Sequence, residues 1–172
     1  METEFLLVTG PMFAGKSKYL IENYYDNPDV DAFSPLLDTR DAEIVSRAYS
    51  DKKIPCTKVS TLKQAHPKKN IVLVDEYQFF SPEDLKDFVI KCEEEHKKIV
   101  MAGLDFLADK KEWAGYTAVK DLCTAEIKLK AKCSICKKPA SFTSLINGKK
   151  GVSIQIESDN IKYEPRCEEH YI

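Results

Sequence analysis

The chain has 172 residues, 43% hydrophobic and 31% charged, with a net charge of −2. That is the make-up of a soluble globular protein of one domain with room for a small appendage, long enough to bury roughly 70% of its unfolded surface. The near-neutral balance excludes the broad basic field that nucleic-acid binding draws on, and no run of about 18 apolar residues offers a membrane-spanning helix.

METEFLLVTG opens without a basic leader region, so no signal peptide is expected. The chain reads as cytoplasmic, where thiols stay reduced. No nucleic-acid or membrane partner is expected. Phe5-Leu6-Leu7-Val8 is a continuous apolar run, as a strand buried on both faces of a parallel sheet requires. GPMFAGKS follows at 10–17, then a helix over about 16–25 that Asn27-Pro28-Asp29 ends. The loop satisfies the phosphate-binding pattern Gly-x4-Gly-Lys-Ser. Its glycines let backbone approach phosphate closely. Gly10, Pro11, Met12, Phe13, Ala14 and Gly15 form the loop around the nucleotide phosphates, with its backbone amides aimed at the anion. Lys16 would reach the terminal phosphates and Ser17 would hold a magnesium ion. So short a pattern also arises by chance, but a strand before it and a helix after it are what the mechanism demands.

Val30 to Leu37 reads as a second strand, interrupted by Pro35. Residues 41–69 are poorly patterned, with one short helix expected near Leu62–Ala65. NIVLVD (70–75) is another buried strand, ending on an acid. Asp75 would bind the magnesium, and Glu76 could activate a nucleophile. Water as nucleophile makes an ATPase, and a substrate hydroxyl makes a kinase. Alternatively both acids merely end a strand and pair with lysines. A helix follows: Ser81 caps it, Pro82 suits its first position, and Glu83 and Asp84 complement its N-terminus. Leu85, Phe88, Val89 and Cys92 form one apolar stripe. Ile99–Leu104 is a third buried strand. The alternation of strand and helix predicts an α/β core with a mainly parallel sheet.

The pattern changes near residue 125. AEIKLKA alternates strictly, with Glu126, Lys128 and Lys130 on the polar side, and predicts a half-buried strand. Beyond it lie short strands and turns, with NGKKG (147–151) as a hairpin connection. Cys133-x-x-Cys136 and Cys167-x-x-His170 are two knuckles separated by residues 137–166. Three thiolates and an imidazole make a closed tetrahedral zinc site, hence a structural one. A lobe of about 40 residues has too little core to stand alone, and metal compensates. Chance spacing is the alternative. Cys56, Cys92 and Cys123 lack such partners, and His66 and His96 receive no role. The expectation is a P-loop parallel-sheet core over residues 1–131 and a small β-rich zinc-binding lobe over 132–172.

Together these pieces resemble the type II thymidine kinase family, the zinc-containing cytosolic kind. GPMFAGKS is similar to that family's GPMFSGKS, Asp38-Thr39-Arg40 to its DTR, DEYQFF (75–80) to DEGQFF, and IVMAGLD (99–105) to its next strand. CSIC, ASFTSLI, KYEPRC and CEEHY follow in the family's order, so the resemblance spans the chain. It implies ATP with magnesium as co-substrate and thymidine as acceptor, phosphorylated at the 5′-hydroxyl. It implies Glu76 as general base, with Arg40 and Asp38 near the transferring phosphoryl group or the magnesium. Met12 and Phe79 would wall the nucleoside pocket, with Leu104 and Phe106 beside the base. Thr143 and Tyr163 would face the sugar and base. Ile154, Gln155, Ile156, Glu157 and Ser158 would form a lasso-type lid held at both ends by the zinc. A homotetramer inhibited by thymidine triphosphate is also implied.

Departures from the family fall on the nucleoside side. Tyr77 replaces a glycine, Ile156-Glu157-Ser158 stands where IGG is frequent, Leu104-Asp105-Phe106 shortens LDGTF by two residues, and Asp109-Lys110-Lys111-Glu112-Trp113 replaces QRKPF. A deoxynucleoside kinase of broader range, or a P-loop ATPase with a zinc-ribbon adaptor lobe, are the competing readings.

Overall fold

The computed structural model describes residues 3–37, 42–46, 48–147 and 162–172. In chain order the elements are β1 (Phe5–Thr9), α1 (Lys16–Tyr24), β2 (Val30–Pro35), β3 (Glu43–Ser46), β4 (Tyr49–Pro55) and β5 (Thr57–Val59). Then come β6 (Ile71–Val74), α2 (Pro82–Glu94), β7 (Lys98–Gly103), α3 (Ala114–Val119), β8 (Ala125–Lys128), β9 (Ala131–Lys132), β10 (Pro139–Ala140), β11 (Phe142–Asn147) and β12 (Lys162–Arg166).

Six strands form one parallel sheet in the order β5-β2-β6-β7-β1-β8. Their apolar runs are continuous because alternate residues feed two different cores. Phe5 and Leu7 of β1, Val72 and Val74 of β6, and Ile99 and Met101 of β7 face α2 and α3. Val8, Leu73, Val100 and Ala102 face α1 and the β3–β4 hairpin. Each such side chain contributes about 1.5–3 kcal/mol on burial, so these strands are the stable part of the molecule. Among the described residues, no helix is long and apolar enough to cross a membrane.

α2 begins as its sequence predicts: Ser81 accepts from the Asp84 amide at 3.2 Å, with Pro82 at the first position. Asp84 does more than complement the helix end. Its carboxylate accepts from the Leu62 amide at 2.8 Å and the Thr61 hydroxyl at 3.2 Å. It thereby fastens the short 3-10 turn Leu62–Gln64, which is the helix expected there, to α2.

The poorly patterned stretch 41–69 contains a hairpin, β3 with β4, and the edge strand β5. Among the described residues of the hairpin, only Ile44 and Ile54 are fully buried, too few to show an alternation. The Tyr49 hydroxyl donates to Glu22 at 2.7 Å and thereby joins the hairpin to α1. Lys52 lies over the rings of Tyr25 and Tyr49 at 5.0 and 4.9 Å. α3 also lacks a sequence signal. It is six residues long and packs closely on α2: a Cβ on its Gly115 would come within 2.9 Å of Leu85.

β8 joins the main sheet beside β1. Its alternation fails at two residues, because Ala125 is exposed and Glu126 is half-buried. Its carboxylate accepts from the Thr9 hydroxyl at 3.0 Å and the Tyr116 hydroxyl at 2.8 Å. Beyond β8 the chain forms two small antiparallel pairs, β9 with β10 and β11 with β12. Apart from Asn147, the NGKKG connection lies outside the described residues.

Tyr77, the residue that departs from the family glycine, is fully buried in the core under α2 and α3. Its hydroxyl donates to the Leu104 carbonyl, and its ring lies where a Cβ on Gly103 would sit. Gly103→Ala is therefore expected to lose about 1–3 kcal/mol of stability in urea denaturation, because overpacking forces ring and strand apart. Combining it with Tyr77→Gly should give a variant more stable than the two separate losses predict. Strict additivity would mean that the two residues do not interact.

Candidate active site

The C-terminal ends of β1, β6 and β7 lie side by side, and the segments leaving them carry Gly10–Ser17, Asp75–Glu76 and Leu104–Phe106. This is where open α/β sheets bind ligands. The loop after β1 turns through left-handed backbone at Gly15 (φ 88°) and at Phe13 (φ 65°), with Gly10 at φ 153°. Gly10 admits no side chain, since a Cβ there would meet the Leu129 carbonyl oxygen at 2.5 Å. Pro11 is buried, Met12 and Ala14 are half-buried, and Phe13 is exposed. Gly15 caps α1 without a side-chain acceptor, so the first amides of the helix point into the loop. Such an end attracts anions through both its N–H groups and its dipole. The Lys16 ammonium donates to the carbonyls of Gly10 and Pro11 at 3.0 and 2.7 Å, above the cradle.

Ser17 and Asp75 meet. The serine hydroxyl donates to Asp75 at 3.3 Å, across 58 positions of sequence. Asp75 is buried, and its own amide donates to the Phe33 carbonyl at 3.0 Å. A hydroxyl and a carboxylate so placed offer two oxygens to a hard cation such as magnesium. Glu76 follows in left-handed backbone (φ 52°), a conformation that turns its side chain away from the strand direction. The Gln78 amide donates to the Glu76 carboxylate, and its carbonyl accepts from the Leu104 amide at 3.3 Å. Gln78 is buried and so links the loop after β6 to the end of β7. The motif DEYQFF contains Gln78, but nothing in its spacing signals this bridge. Asp105, buried at the end of β7, was equally silent. Burial pushes its carboxyl up, opposed by the Phe106 amide and by Lys128 and Lys16.

Phe79 is half-buried in the turn Tyr77–Phe79, and Leu104 is half-buried just past β7. The Phe106 ring packs against Tyr116 at 6.3 Å and Phe142 at 5.9 Å. Thr143, buried on β11, accepts from the Met12 amide at 3.0 Å, which ties the phosphate loop to the C-terminal strands. Tyr163 lies on β12 opposite Leu145. Asp38, Arg40 and residues 154–158 lie outside the described residues.

Cys133, Cys136, Cys167 and His170 converge, with their ligand atoms all within 4.8 Å of one another. Cys136 and Cys167 sulfurs are 3.6 Å apart, and His170 Nδ1 lies 3.2 Å from Cys167 and 3.9 Å from Cys133. Tetrahedral zinc with bonds of about 2.3 Å to sulfur sets ligand separations near 3.8 Å, so the cluster fits a structural zinc. Burial opposes the thiolate at Cys133, but the backbone N–H groups of Cys136, Cys167 and Ile135 hold its thiol down to about 6. Around the ligands, Arg166 donates to Glu164 at 2.8 Å and to the His170 carbonyl at 3.1 Å, while Ser134 donates to Glu164 at 2.8 Å.

A phosphate loop opening a helix, a serine meeting a strand-end aspartate, and a parallel sheet beneath them define a P-loop nucleotide-binding protein. The family model for thymidine kinase matches residues 3–171, and the chain belongs to the thymidine kinase family. It is accordingly a kinase of nucleosides.

The protein is expected to carry about one zinc per chain. His170→Ala should lower the melting temperature and speed transfer of the metal to a chromogenic chelator. Unchanged metal retention in that variant would remove the histidine from the ligand set.

Proposed function

We propose that the chain phosphorylates thymidine, and also deoxyuridine, at the 5′-hydroxyl with ATP, giving the nucleoside monophosphate and ADP for nucleotide salvage. The observation that carries this reading is the Ser17–Asp75 contact, with Glu76 next in the chain and the phosphate loop beside it. Residues 1–131 would be the kinase core and 132–172 a zinc-tied lobe that covers the nucleoside.

The amides from Met12 to Gly15 and the Lys16 ammonium hold the phosphates of ATP. Ser17 and Asp75 are the residues to hold magnesium, which when bound offsets phosphate charge. Glu76 takes the proton of the 5′-hydroxyl as that oxygen bonds to the γ-phosphorus. The bond from the γ-phosphorus to the bridging oxygen breaks, and ADP leaves with its electron pair. Arg40 and Asp38 act beside the transferring group, where a loosely bonded transition state gains most from fixed charge. Met12, Phe79, Leu104 and Phe106 wall the nucleoside pocket, and Thr143 and Tyr163 approach the sugar and base. Ile154–Ser158 close over the nucleoside and exclude water, which otherwise competes for the phosphoryl group. A cytoplasmic homotetramer inhibited by thymidine triphosphate completes the proposal.

Incubation with ATP and magnesium, alone and with each of the four deoxynucleosides and deoxyuridine, tests the reading. One monophosphate per ADP is expected with thymidine and deoxyuridine. Glu76→Gln should lower the rate by about 10²–10⁴-fold. Activity spread over purines would mean a broader kinase, and ADP with no monophosphate would mean an ATPase. Graded chelation should abolish nucleoside binding before ATP binding, because the zinc ties the lobe and not the phosphate loop. Equal loss of both in a titration would contradict the covering role of the lobe.

A further inference from the structure

Lys110 makes contacts that the phosphoryl-transfer chemistry does not use. It lies in the loop between β7 and α3, in left-handed backbone with φ 66°. A tight turn sets this up. The Leu107 amide donates to the Lys111 carbonyl at 2.7 Å, and the Lys110 amide donates to the Leu107 carbonyl at 3.0 Å. The Asp109 carboxylate accepts from the Lys111 amide at 3.0 Å. An L-residue holds such backbone where its surroundings over-determine it.

The surroundings are a clamp. The Lys110 ammonium lies 4.6 Å from the centre of the Phe142 ring and 4.4 Å from that of Tyr171. Those two rings meet each other edge-on at 6.1 Å. The same ammonium pairs with Glu168 at 2.8 Å. An exposed ion pair alone contributes little, and Glu168 is 76% exposed. A cation held between two rings, with two-thirds of its side chain covered, is a different case, because the rings exclude the water that would otherwise screen it.

The partners give the clamp its meaning. Glu168 stands between Cys167 and His170, and Tyr171 follows His170 directly. Phe142 opens β11, one residue before the Thr143 that holds the Met12 amide, and it also packs against Phe106. Lys110 therefore joins the second metal knuckle to the loop that carries Phe106. From these contacts we infer that Lys110 is a positioning residue, through which the metal knuckle sets the place of the pocket wall at Phe106.

The kinetic part of this inference rests on the nucleoside-kinase reading, and its spectroscopic part does not. Trp113 is the single tryptophan of the chain and lies three positions after Lys110. Its amide donates to the Asp105 carbonyl at 2.8 Å, so its emission reports on this loop. Stripping zinc from the wild type should shift Trp113 emission. In Lys110→Met, which keeps the stem and loses the charge, less than half of that shift should remain, and Lys110→Arg should restore it. With thymidine and ATP, Lys110→Met should raise KM for the nucleoside by about five- to tenfold, leaving kcat and KM for ATP within about twofold. Lys110→Arg should stay near the wild type.

Where Lys110→Met does not fold, Glu168→Lys, at an exposed position, places a repelling charge on the ammonium and should act in the same direction with zinc content unchanged. An emission shift in Lys110→Met equal to that of the wild type would overturn the inference, as would no shift in the wild type. A parallel loss in kcat and both KM values would make Lys110 a general stabiliser and overturn it too. A wild type that phosphorylates no nucleoside would instead overturn the kinase reading, and the emission comparison would still decide the role of Lys110.

Discussion

Everything in this molecule depends on β1, β6 and β7 being buried on both faces. A strand with apolar neighbours above and below has nowhere to slide, because a one-residue slip exchanges its two faces. Phe5 opposite Ile99 and Val74 opposite Met101 are thereby fixed in register. The polar residues that end these strands inherit that rigidity. Ser17 reaches Asp75 because packing fixes the strands from which the loop after β1 and the end of β6 depart. Asp75 and Glu76 continue a strand of four apolar residues, three of them fully buried, so they leave it at a defined point.

Where physics acts locally, the sequence was easy to read. The glycine loop, the capped start of α2 and the two metal knuckles each have short-range signatures, and each element formed where expected. What could not be read has a long-range cause. Gln78 reaches Leu104 across 26 positions, Thr143 reaches Met12 across 131, and Glu126 is drawn partly inward by Thr9 and Tyr116. None of these residues carries a periodicity that announces its partner. The hairpin in 43–55 was obscured for the opposite reason: it rests on α1 through so few buried residues that its pattern is thin. Tyr77 was legible only as a departure. Its fit depends on Gly103, 26 positions away, and the two are complementary in volume.

The C-terminal strands have little apolar core of their own. Among the described residues, the one cluster of buried residues there is Cys133, Ala140 and Cys167, with Leu145 and Pro165 buried apart from it. Cohesion must come from elsewhere, and it comes from polar closure around the knuckles. Arg166 and Glu164 join β12 to the His170 carbonyl and to Ser134 of the first knuckle. The same strands touch the sheet domain at a few well-defined points, of which Thr143 on the Met12 amide is the most direct.

The sheet order has a further consequence for how the chain is made. β1 leaves the ribosome long before both of its neighbours: Phe5 pairs with Ile99, and Leu6 with Ala125. At translation rates of about 5–20 residues per second, β1 waits on the order of ten seconds for the second of them. Throughout that interval an apolar strand with two unpaired edges must be kept from other nascent chains. Contacts of such long sequence separation also slow spontaneous folding, since loop closure precedes any gain from pairing. The arrangement that places the phosphate-loop strand between β7 and β8 makes it the strand of the sheet that waits longest for its partners during synthesis.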